Sequence, residues 1–352
     1  MKKRLLSLIL ALLLALTLPV MAEGETVTET QTLSDGSIMT TVTDGASGRV
    51  TTTIQREDGT LFQFITNQRG KLLDVLIDVS VKAARNSSQT GEAIEVPLRS
   101  MVKTPDEQNL RFRVELPFGV KGVWLAFPLE DSPAGAVAVT VDDNDKQTVI
   151  PYSCLWEDCL MFPLEADATV MLVDNSRSFA DVHEVGHKAQ EAVDFVVARE
   201  LFRGVDDTHF APEATLTRAM VVTVLWRLVG SPKVDHAMTF LDVRPDAYYM
   251  DAVGWAFAQK LVSGYNETTF APNDIISREQ LATILWRFAE TPAVFGAQLD
   301  FDDAGQVSEY AVPALKWATG EDIFPTVRGD LQPKEPATRA QTAQLLMNFL
   351  CR

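Results

Sequence analysis

A repeat of about 60 residues, present three times in the C-terminal half of the chain, restricts the fold more than any other feature of the sequence. Three motifs recur in register: FADV at 179–182, FLDV at 240–243 and FDDA at 301–304; FAP at 210–212, FAP at 270–272 and LQP at 331–333; and Thr217-Arg218, Ser277-Arg278 and Thr338-Arg339. A unit repeated at a fixed period cannot bury its apolar face alone, so its neighbours must cover it. The repeat therefore predicts one domain of three copies, at residues 176–235, 236–296 and 297–352.

Each copy has the pattern helix, loop, helix. In the second helix of each copy, buried-type residues recur at i, i+3, i+4 and i+7, which places them on one helix face. These stripe residues are Val221, Val224, Leu225 and Leu228 in the first copy, Leu281, Ile284, Leu285 and Phe288 in the second, and Thr342, Leu345, Leu346 and Phe349 in the third. Because three such stripes can bury one another, we expect an all-α domain with a pseudo-threefold axis.

Residues 23–175 follow a different pattern, in which apolar and polar residues alternate and the segments SDGS, EDGT and DDND mark turns. Between 110 and 116, apolar residues alternate with Arg111, Arg113 and Glu115, as in a strand with one buried face. We therefore predict an all-β, sandwich-like region of antiparallel strands, in one or two small modules. The stretch VDDNDK at 141–146 lacks the glycine and distal glutamate of a calcium loop and is interpreted as a hairpin turn.

The first 22 residues predict export, because a basic start precedes an apolar run and small residues ahead of a cleavage site. No second apolar run is long enough to span a bilayer. The formal net charge of −17 makes nucleic acid an unfavourable partner. Of the three cysteines, Cys154 and Cys159 could pair across a turn in an exported protein, and the sequence leaves that question open.

The three copies resemble S-layer homology domains. The resemblance rests on the Phe-x-Asp-Val openings, the glycines ahead of Phe-Ala-Pro and the Thr/Ser-Arg start of the second helix, and it covers residues 179–352. It implies a domain that anchors an exported protein non-covalently on the bacterial surface by binding a secondary cell-wall polysaccharide, often one bearing a pyruvate ketal. A cell-wall location and the pyruvylated polysaccharide as partner are thus expectations from the resemblance, and no cofactor is implied.

The arginines that begin the second helices are candidate ligand contacts. A cation at this position opposes the helix dipole at a cost of about 0.3–1 kcal/mol, so stability alone does not favour it. A guanidinium beside unpaired helix N-terminal amides can instead receive a carboxylate, and the resemblance assigns these arginines to the pyruvylated sugar. The candidate glycan-binding residues are Arg218, Arg278 and Arg339, the loop glycines Gly204 and Gly264, the tyrosines Tyr248 and Tyr310, and the opening aspartates Asp181 and Asp242. For Tyr248 and Tyr310, a core position is an equal alternative.

Several positions depart from the family pattern of Thr-Arg-Ala-Glu. Met220, Gln280 and Gln341 replace the glutamate, although the two glutamines can still form capping boxes with Ser277 and Thr338. The third copy has Thr326 in place of the loop glycine, and the first copy has Lys188 in place of the aromatic residue early in its first helix. These differences predict that one or two inter-repeat grooves bind the glycan.

The segment HEVGH at 183–187 matches the HExxH pattern of zinc peptidases, which requires both histidines on one helix. The second copy has RPDAY at the equivalent place, and a proline there argues against a helix interior. Gln190 and Val193 stand where the extended pattern needs glycine and a third histidine. We therefore expect no metal site, no catalytic residue and no enzyme. A zinc peptidase, a hydrolase in the β-region, and self-association in a surface array are the alternative functions.

Overall fold

The computed structural model describes residues 25–97, 111–129, 133–183, 186–233, 239–294, 296 and 298–351, and the signal peptide predicted at 1–22 lies outside them. The chain divides into two units between Asn175 and Ser176. Each unit has its own secondary structure, with strands in the first and helices predominating in the second. The N-terminal region is thus β-rich and the C-terminal region helical, as the alternation and the helical stripes predict.

Two sheets form the N-terminal unit. Its strands are β1 (Thr26–Thr32), β2 (Ile38–Asp44), β3 (Val50–Gln55), β4 (Leu61–Thr66), β5 (Leu72–Asp78), β6 (Ile94–Glu95), β7 (Phe112–Glu115), β8 (Val123–Pro128), β9 (Ala136–Val141), β10 (Gln147–Val149), β11 (Cys154–Trp156), β12 (Cys159–Leu164) and β13 (Ala168–Asp174). The larger sheet has the order β1-β2-β3-β4-β5-β7-β13-β9-β10, and the smaller one has the order β11-β12-β8-β6. The predicted turns at SDGS, EDGT and DDND connect consecutive antiparallel strands.

The prediction of an all-β, antiparallel region was wrong in two respects. A helix, α1 (Val81–Thr90), lies between β5 and β6; the Ser80 side chain caps its start, and Gly91 ends it with φ 69°. The chain that follows this helix contributes strands that pair in parallel, β7 beside β5 and β6 beside β8. A parallel neighbour requires a crossover connection, and the helix forms part of that crossover.

One hydrophobic core joins the two sheets, so the described part of this unit is a single module. In β7, Phe112 and Val114 are buried while the two polar residues between and after them are exposed, which confirms the predicted alternation. The Phe112 ring on the large sheet meets the Phe127 ring on the small sheet edge-on, with centroids 4.7 Å apart. Across the β11–β12 hairpin, Cys154 lies opposite Met161 and Cys159 opposite Trp156, so the two cysteines are diagonal neighbours on their strands.

The C-terminal unit contains the helices α2 (His187–Ala198), α3 (Arg218–Leu228), α4 (Met250–Ala258), α5 (Arg278–Phe288), α6 (Val312–Gly320) and α7 (Arg339–Leu350), with short 3-10 turns at Ala304–Gln306 and Glu309–Ala311. Two of these helices lie in each of the ranges 176–235, 236–296 and 297–352. The predicted stripes on α3, α5 and α7 are buried, except that Phe288 is half-buried. A small cavity is lined by stripe residues from all three of these helices. None of the helices in the described ranges is sufficiently long and apolar to cross a membrane.

The helices pack mainly between copies. The first helix of each copy packs on the second helix of the preceding copy: α4 on α3, α6 on α5, and α2 on α7. Backbone hydrogen bonds follow the same cyclic order, since the Leu216 N–H donates to Ala337, the Ala337 N–H to Ile276, and the Ile276 N–H to Leu216. The first and third copies are therefore in direct contact, and the second contacts both.

Side chains cap the starts of α3, α5 and α7, and the caps predicted for α5 and α7 are confirmed. The side chains of Thr217, Ser277 and Thr338 each accept a hydrogen bond from a backbone N–H in the first turn of their helix. Gln280 and Gln341 complete reciprocal capping boxes in the second and third copies. Met220 cannot do so in the first.

Candidate functional site

The aspartate of each opening motif holds the loop that precedes the second helix of its own copy. Asp181 accepts hydrogen bonds from the backbone N–H groups of Phe210 (2.9 Å) and Ala211 (2.7 Å), and Ala211 has a left-handed φ of 58°. Burial raises the pKa of Asp181, but these two hydrogen bonds lower it by more, so the pKa lies below its ordinary value. Asp242 and Asp303 make the same pair of contacts in the other copies. Asp303, which was not among the predicted site residues, could have been found from its register in the repeat.

The loop glycines, Gly204 and Gly264, stand where the neighbouring backbone and a phenylalanine ring leave no room for a Cβ atom. A Cβ on Gly204 would lie 2.3 Å from the carbonyl oxygen of Asp206 and 2.6 Å from the Phe179 ring, and Gly264 has the equivalent neighbours at 2.4 and 2.5 Å. Real Cβ atoms do not approach backbone that closely, so the loop must move if a side chain is added. Both glycines therefore lie where a second backbone segment approaches closely, in the first and second copies.

Replacing Gly204 by alanine is expected to destabilise the C-terminal unit by about 1–3 kcal/mol, because the extra methyl group overlaps fixed backbone. Urea unfolding followed by the helical circular dichroism signal measures this difference. Gly305→Ala is the matched control, since a Cβ there meets nothing within 4 Å. Equal stability of the two variants would contradict the proposed crowding.

The arginine that begins the second helix of the second copy is a clamp between copies. Arg278 is 2% exposed, and its Nε and Nη2 atoms donate to the carbonyl oxygens of Leu331 (2.9 Å) and Pro325 (2.6 Å) in the third copy. The guanidinium also lies over the Phe324 ring, 4.6 Å from its centroid. Burial lowers the pKa of Arg278 to about 10, so the side chain remains a cation at neutral pH.

The other two arginines make the same contacts and complete a cycle. Arg218 donates to the carbonyls of Phe270 and Ser263 in the second copy, and Arg339 donates to those of Phe210 and Arg203 in the first. The sequence predicted a ligand contact for these arginines and did not predict backbone carbonyls as their partners. Each guanidinium thus offsets its unfavourable place at a helix start by binding two carbonyl dipoles of the next copy.

The helix N-terminal amides are not available to a ligand, which corrects the prediction that they are unpaired. At the start of α5, the N–H groups of Arg278 and Glu279 donate to the carbonyls of Glu335 and Pro333, and the third amide donates to the Ser277 side chain. The corresponding groups of α3 donate to Asp274, Pro272 and Thr217, and those of α7 to Ala214, Pro212 and Thr338. Any ligand in these grooves would therefore have to be bound by side chains.

A groove in the first copy contains a cavity of about 180 Å³. We call it the first groove; its lining residues are Leu201, Phe202, Arg203, Gly204, Leu216, Met220, Thr223, Val224, Arg227, Tyr248 and Arg339. The structure thus brings together one predicted residue from each copy: Gly204, Tyr248 and Arg339. None of the described residues that line the cavity is acidic, and three are arginines. Arg203 and Arg227 were not predicted, because their place in the groove depends on contacts between copies.

The two candidate tyrosines are exposed, at 62% for Tyr248 and 51% for Tyr310, so neither is a core residue. Their rings can therefore offer a flat apolar face to a sugar, although the Tyr310 hydroxyl already donates a hydrogen bond to Glu279. Partial desolvation of the phenol is the main cause that raises the pKa of both tyrosines, that of Tyr310 to about 12. Both hydroxyls are thus protonated donors at neutral pH.

The second groove is the region of the second copy that corresponds in the repeat to the first groove, with Gly264 and Tyr310 at the positions of Gly204 and Tyr248. It contains a carboxylate that is absent from the described lining of the first groove. Glu279, buried near the start of α5, accepts hydrogen bonds from Ser308 N (2.9 Å), Ser308 Oγ (2.8 Å), Tyr310 OH (3.1 Å) and Lys334 Nζ (2.6 Å). Alanines 219 and 340 occupy the equivalent positions in the other copies. Three residues of the third copy are therefore attached to the second copy through this one carboxylate.

Glu279 predicts a loss of stability in acid. Burial raises its pKa, whereas the hydrogen bonds from Lys334, Ser308 and Tyr310 lower it by more, so the folded pKa lies below the ordinary value of 4.5. The stabilisation is therefore complete above the unfolded pKa and is lost as the pH falls through the folded pKa. We expect Glu279→Gln to unfold more easily at neutral pH and to lose less stability on acidification. Urea unfolding at neutral and acid pH, with exposed Glu267→Gln as control, measures both; parallel behaviour of the two variants would contradict this role.

The HEVGH histidines do not share a helix. Helix α2 begins at His187, with Gly186 before it at φ 92°, and His183 precedes the helix in a 3-10 turn. Glu184 and Val185 lie outside the described residues. Within the described ranges, no group of three or more His, Cys, Asp or Glu side chains is placed to hold a metal ion. The i, i+4 geometry on which the zinc-peptidase alternative depends is therefore missing.

Comparison with known proteins places the repeats in a family. The S-layer homology domain model matches residues 178–219, 239–282 and 300–343. The exoglucanase XynX of Acetivibrio thermocellus is 24% identical over 221 residues, 59% of this chain and 20% of that protein. The surface-layer 125 kDa protein of Lysinibacillus sphaericus is 26% identical over 50% of this chain and 15% of its own length. The cellulosome-anchoring protein of A. thermocellus is 28% identical over 44% of this chain and 34% of its own length.

These matches span about a third of the relatives' lengths or less, so they concern a part that the proteins share. The three matched segments begin at the opening motifs and end within the second helices, which are the elements that form the grooves. The C-terminal half of this chain therefore carries three S-layer homology domains.

Proposed function

We propose that this chain is an anchoring protein that attaches itself non-covalently to the bacterial cell wall by binding a secondary cell-wall polysaccharide. The acidic group of that polymer, which the family resemblance identifies as a pyruvate ketal, binds in the first groove. The N-terminal β-rich unit is then the part displayed at the cell surface. Residues 1–22 direct export and are removed.

The observation that carries the proposal is the cationic cavity of the first groove. Three arginines line it, in a chain whose formal net charge is −17. A guanidinium binds a carboxylate through two parallel hydrogen bonds, and the exposed Tyr248 ring supplies a face for the sugar. An acidic protein and an acidic polymer repel each other at long range, so recognition depends on this local arrangement.

A closed arrangement of the three copies about a pseudo-threefold axis belongs to the same proposal. It is supported by the cyclic backbone hydrogen bonds among Leu216, Ile276 and Ala337 and by the arginine clamps, each of which reaches the next copy. Such closure gives every groove walls from neighbouring copies. The grooves then depend on the whole domain and cannot form in an isolated copy.

We propose no enzyme activity for the chain. The glycoside hydrolases among its relatives match through the S-layer homology region, which is the part that an anchored enzyme would share with an anchored non-enzyme. The surface-layer protein and the cellulosome-anchoring protein carry the same region and support a role at the cell surface.

The test is co-sedimentation of the full mature protein with bacterial sacculi. One set of sacculi retains its polysaccharide, and the other is stripped of it with hydrofluoric acid. The proposal predicts binding to intact sacculi and loss of binding to stripped ones. It also predicts that Tyr248→Ala binds intact sacculi severalfold more weakly than the wild type, since an aromatic contact contributes about 0.5–1.5 kcal/mol. Equal binding to both kinds of sacculi would contradict it.

A further inference from the structure

The three arginines of the first groove differ in how many hydrogen bonds their guanidinium groups donate within the protein. Arg339 donates through Nε and Nη2 to the carbonyls of Phe210 and Arg203, and it lies over the Phe210 ring at 4.3 Å. Arg227 donates through Nη1 to the carbonyl of Leu201, at 3.0 Å. Both side chains therefore hold the groove together, and neither can turn fully toward a ligand without breaking a contact.

Arg203 is different. Its backbone carbonyl receives the Arg339 clamp, while its side chain is exposed at the cavity. The guanidinium makes no hydrogen bond or ion pair with any residue in the described ranges. All five of its N–H donors are thus available, in the planar fork that matches a carboxylate.

The residue at this position also distinguishes the first groove from the other two. The arginine clamps identify the equivalent positions, because Arg218 binds the carbonyl of Ser263 and Arg278 binds that of Pro325. A neutral hydroxyl and a proline ring cannot form a charge-assisted hydrogen bond fork. The second groove in addition contains the buried Glu279 carboxylate, which accepts a hydrogen bond from the Tyr310 hydroxyl.

We infer that Arg203 contacts the acidic group of the wall polysaccharide directly, and that the first groove is the one that selects an anionic sugar. This inference rests on the proposed function. The cavity of about 180 Å³ is smaller than the ~300–1,000 Å³ of pockets that enclose a drug-sized ligand, so it suits one acidic residue of a polymer that continues outside the groove.

The neighbouring charges agree with this assignment. Burial and then repulsion from Arg203 lower the pKa of Arg227, while Glu200 acts in the opposite direction. Two guanidinium groups that repel each other, beside a cavity whose described lining has no acidic residue, gain from a bound anion. Met220 contributes to the same effect, because it places an apolar side chain where the family pattern has a glutamate.

The experiment measures binding of the full mature protein to soluble pyruvylated polysaccharide released from bacterial walls. Arg203→Gln removes the charge and keeps the length of the side chain, and we expect it to weaken binding about tenfold or more, as for loss of a charge-assisted hydrogen bond. Arg328→Gln is the charge-matched control; it is exposed in the third copy and does not line the cavity. Ser263→Arg places the fork at the equivalent position of the second groove and is expected to strengthen binding.

The outcomes separate the inference from the proposed function. A wild-type protein that does not bind the polysaccharide would overturn the proposed function itself. Wild-type binding that Arg203→Gln leaves unchanged, or that Arg328→Gln reduces equally, would overturn the assignment of Arg203 while the anchor remains. Selective loss in Arg203→Gln together with a gain in Ser263→Arg would support it.

Discussion

Arg278→Ala is expected to lower the free energy of unfolding of the C-terminal unit by about 3–5 kcal/mol. The side chain is 2% exposed and joins two copies through the carbonyls of Leu331 and Pro325. Its removal leaves both oxygens without their charged donor and opens a space beside Phe324. Each buried carbonyl left unsatisfied costs about 1–3 kcal/mol.

Urea unfolding followed at the helical circular dichroism signal measures this effect, since α2–α7 all belong to the C-terminal unit. Arg244→Ala is the control. Its guanidinium is exposed and pairs with Asp246 on the surface, so its loss should cost about 0–1 kcal/mol. If Arg278→Ala and Arg244→Ala unfold at the same urea concentration, the clamp is not a major source of stability.

Asp181→Asn is expected to cost about 2–4 kcal/mol, although the two side chains have nearly the same size. The carboxylate accepts two hydrogen bonds at once, from the N–H groups of Phe210 and Ala211. An amide offers one acceptor oxygen and turns its own NH₂ group toward the other N–H. The left-handed conformation of Ala211, with φ 58°, then loses the contact that holds it.

Thermal and urea unfolding of this variant are compared with Asp207→Asn, an exposed substitution in the same loop. The control should remain within about 0.5 kcal/mol of the wild type. If the free energies of unfolding of Asp181→Asn and Asp207→Asn differ by less than about 0.5 kcal/mol, the loop keeps its shape without the aspartate. Asp242→Asn and Asp303→Asn test the same contact in the other copies.

Much of the helical unit follows from local sequence. The stripe spacing on α3, α5 and α7 predicted the buried face, and the Ser/Thr-x-x-Gln pattern predicted the two capping boxes. Both signals depend on residues three or four apart, and the register of the repeat identified equivalent positions. Alternation likewise predicted the buried face of β7.

Features that depend on distant parts of the chain were not predicted. Helix α1 is polar and presents only small residues to the core, so it lacks an apolar stripe; Ser80 and Gly91 at its ends were the available signal. Nothing local distinguishes a strand that pairs in parallel from one that pairs antiparallel. The partners of the clamp arginines lie about 50 residues away for Arg218 and Arg278, and more than 100 residues away for Arg339.

The candidate site was predicted in part for the same reason. Gly204, Tyr248 and Arg339 meet in the first groove although they belong to three different copies, and family register identified each of them. No motif marks Arg203. It stands out only because the guanidinium groups of Arg227 and Arg339 already donate to backbone carbonyls. The role of Glu279 also required the third copy to be placed against the second.

The central claim is that the first groove recognises the acidic group of a wall polysaccharide. Equilibrium binding of the full mature protein to the soluble pyruvylated polysaccharide, before and after mild acid removes the ketal, tests this most directly. Loss of binding with the ketal, in the wild type and in the Arg328→Gln control alike, is the predicted result. Undiminished binding to the neutral polymer would contradict the claim and would move recognition away from the arginines of the groove.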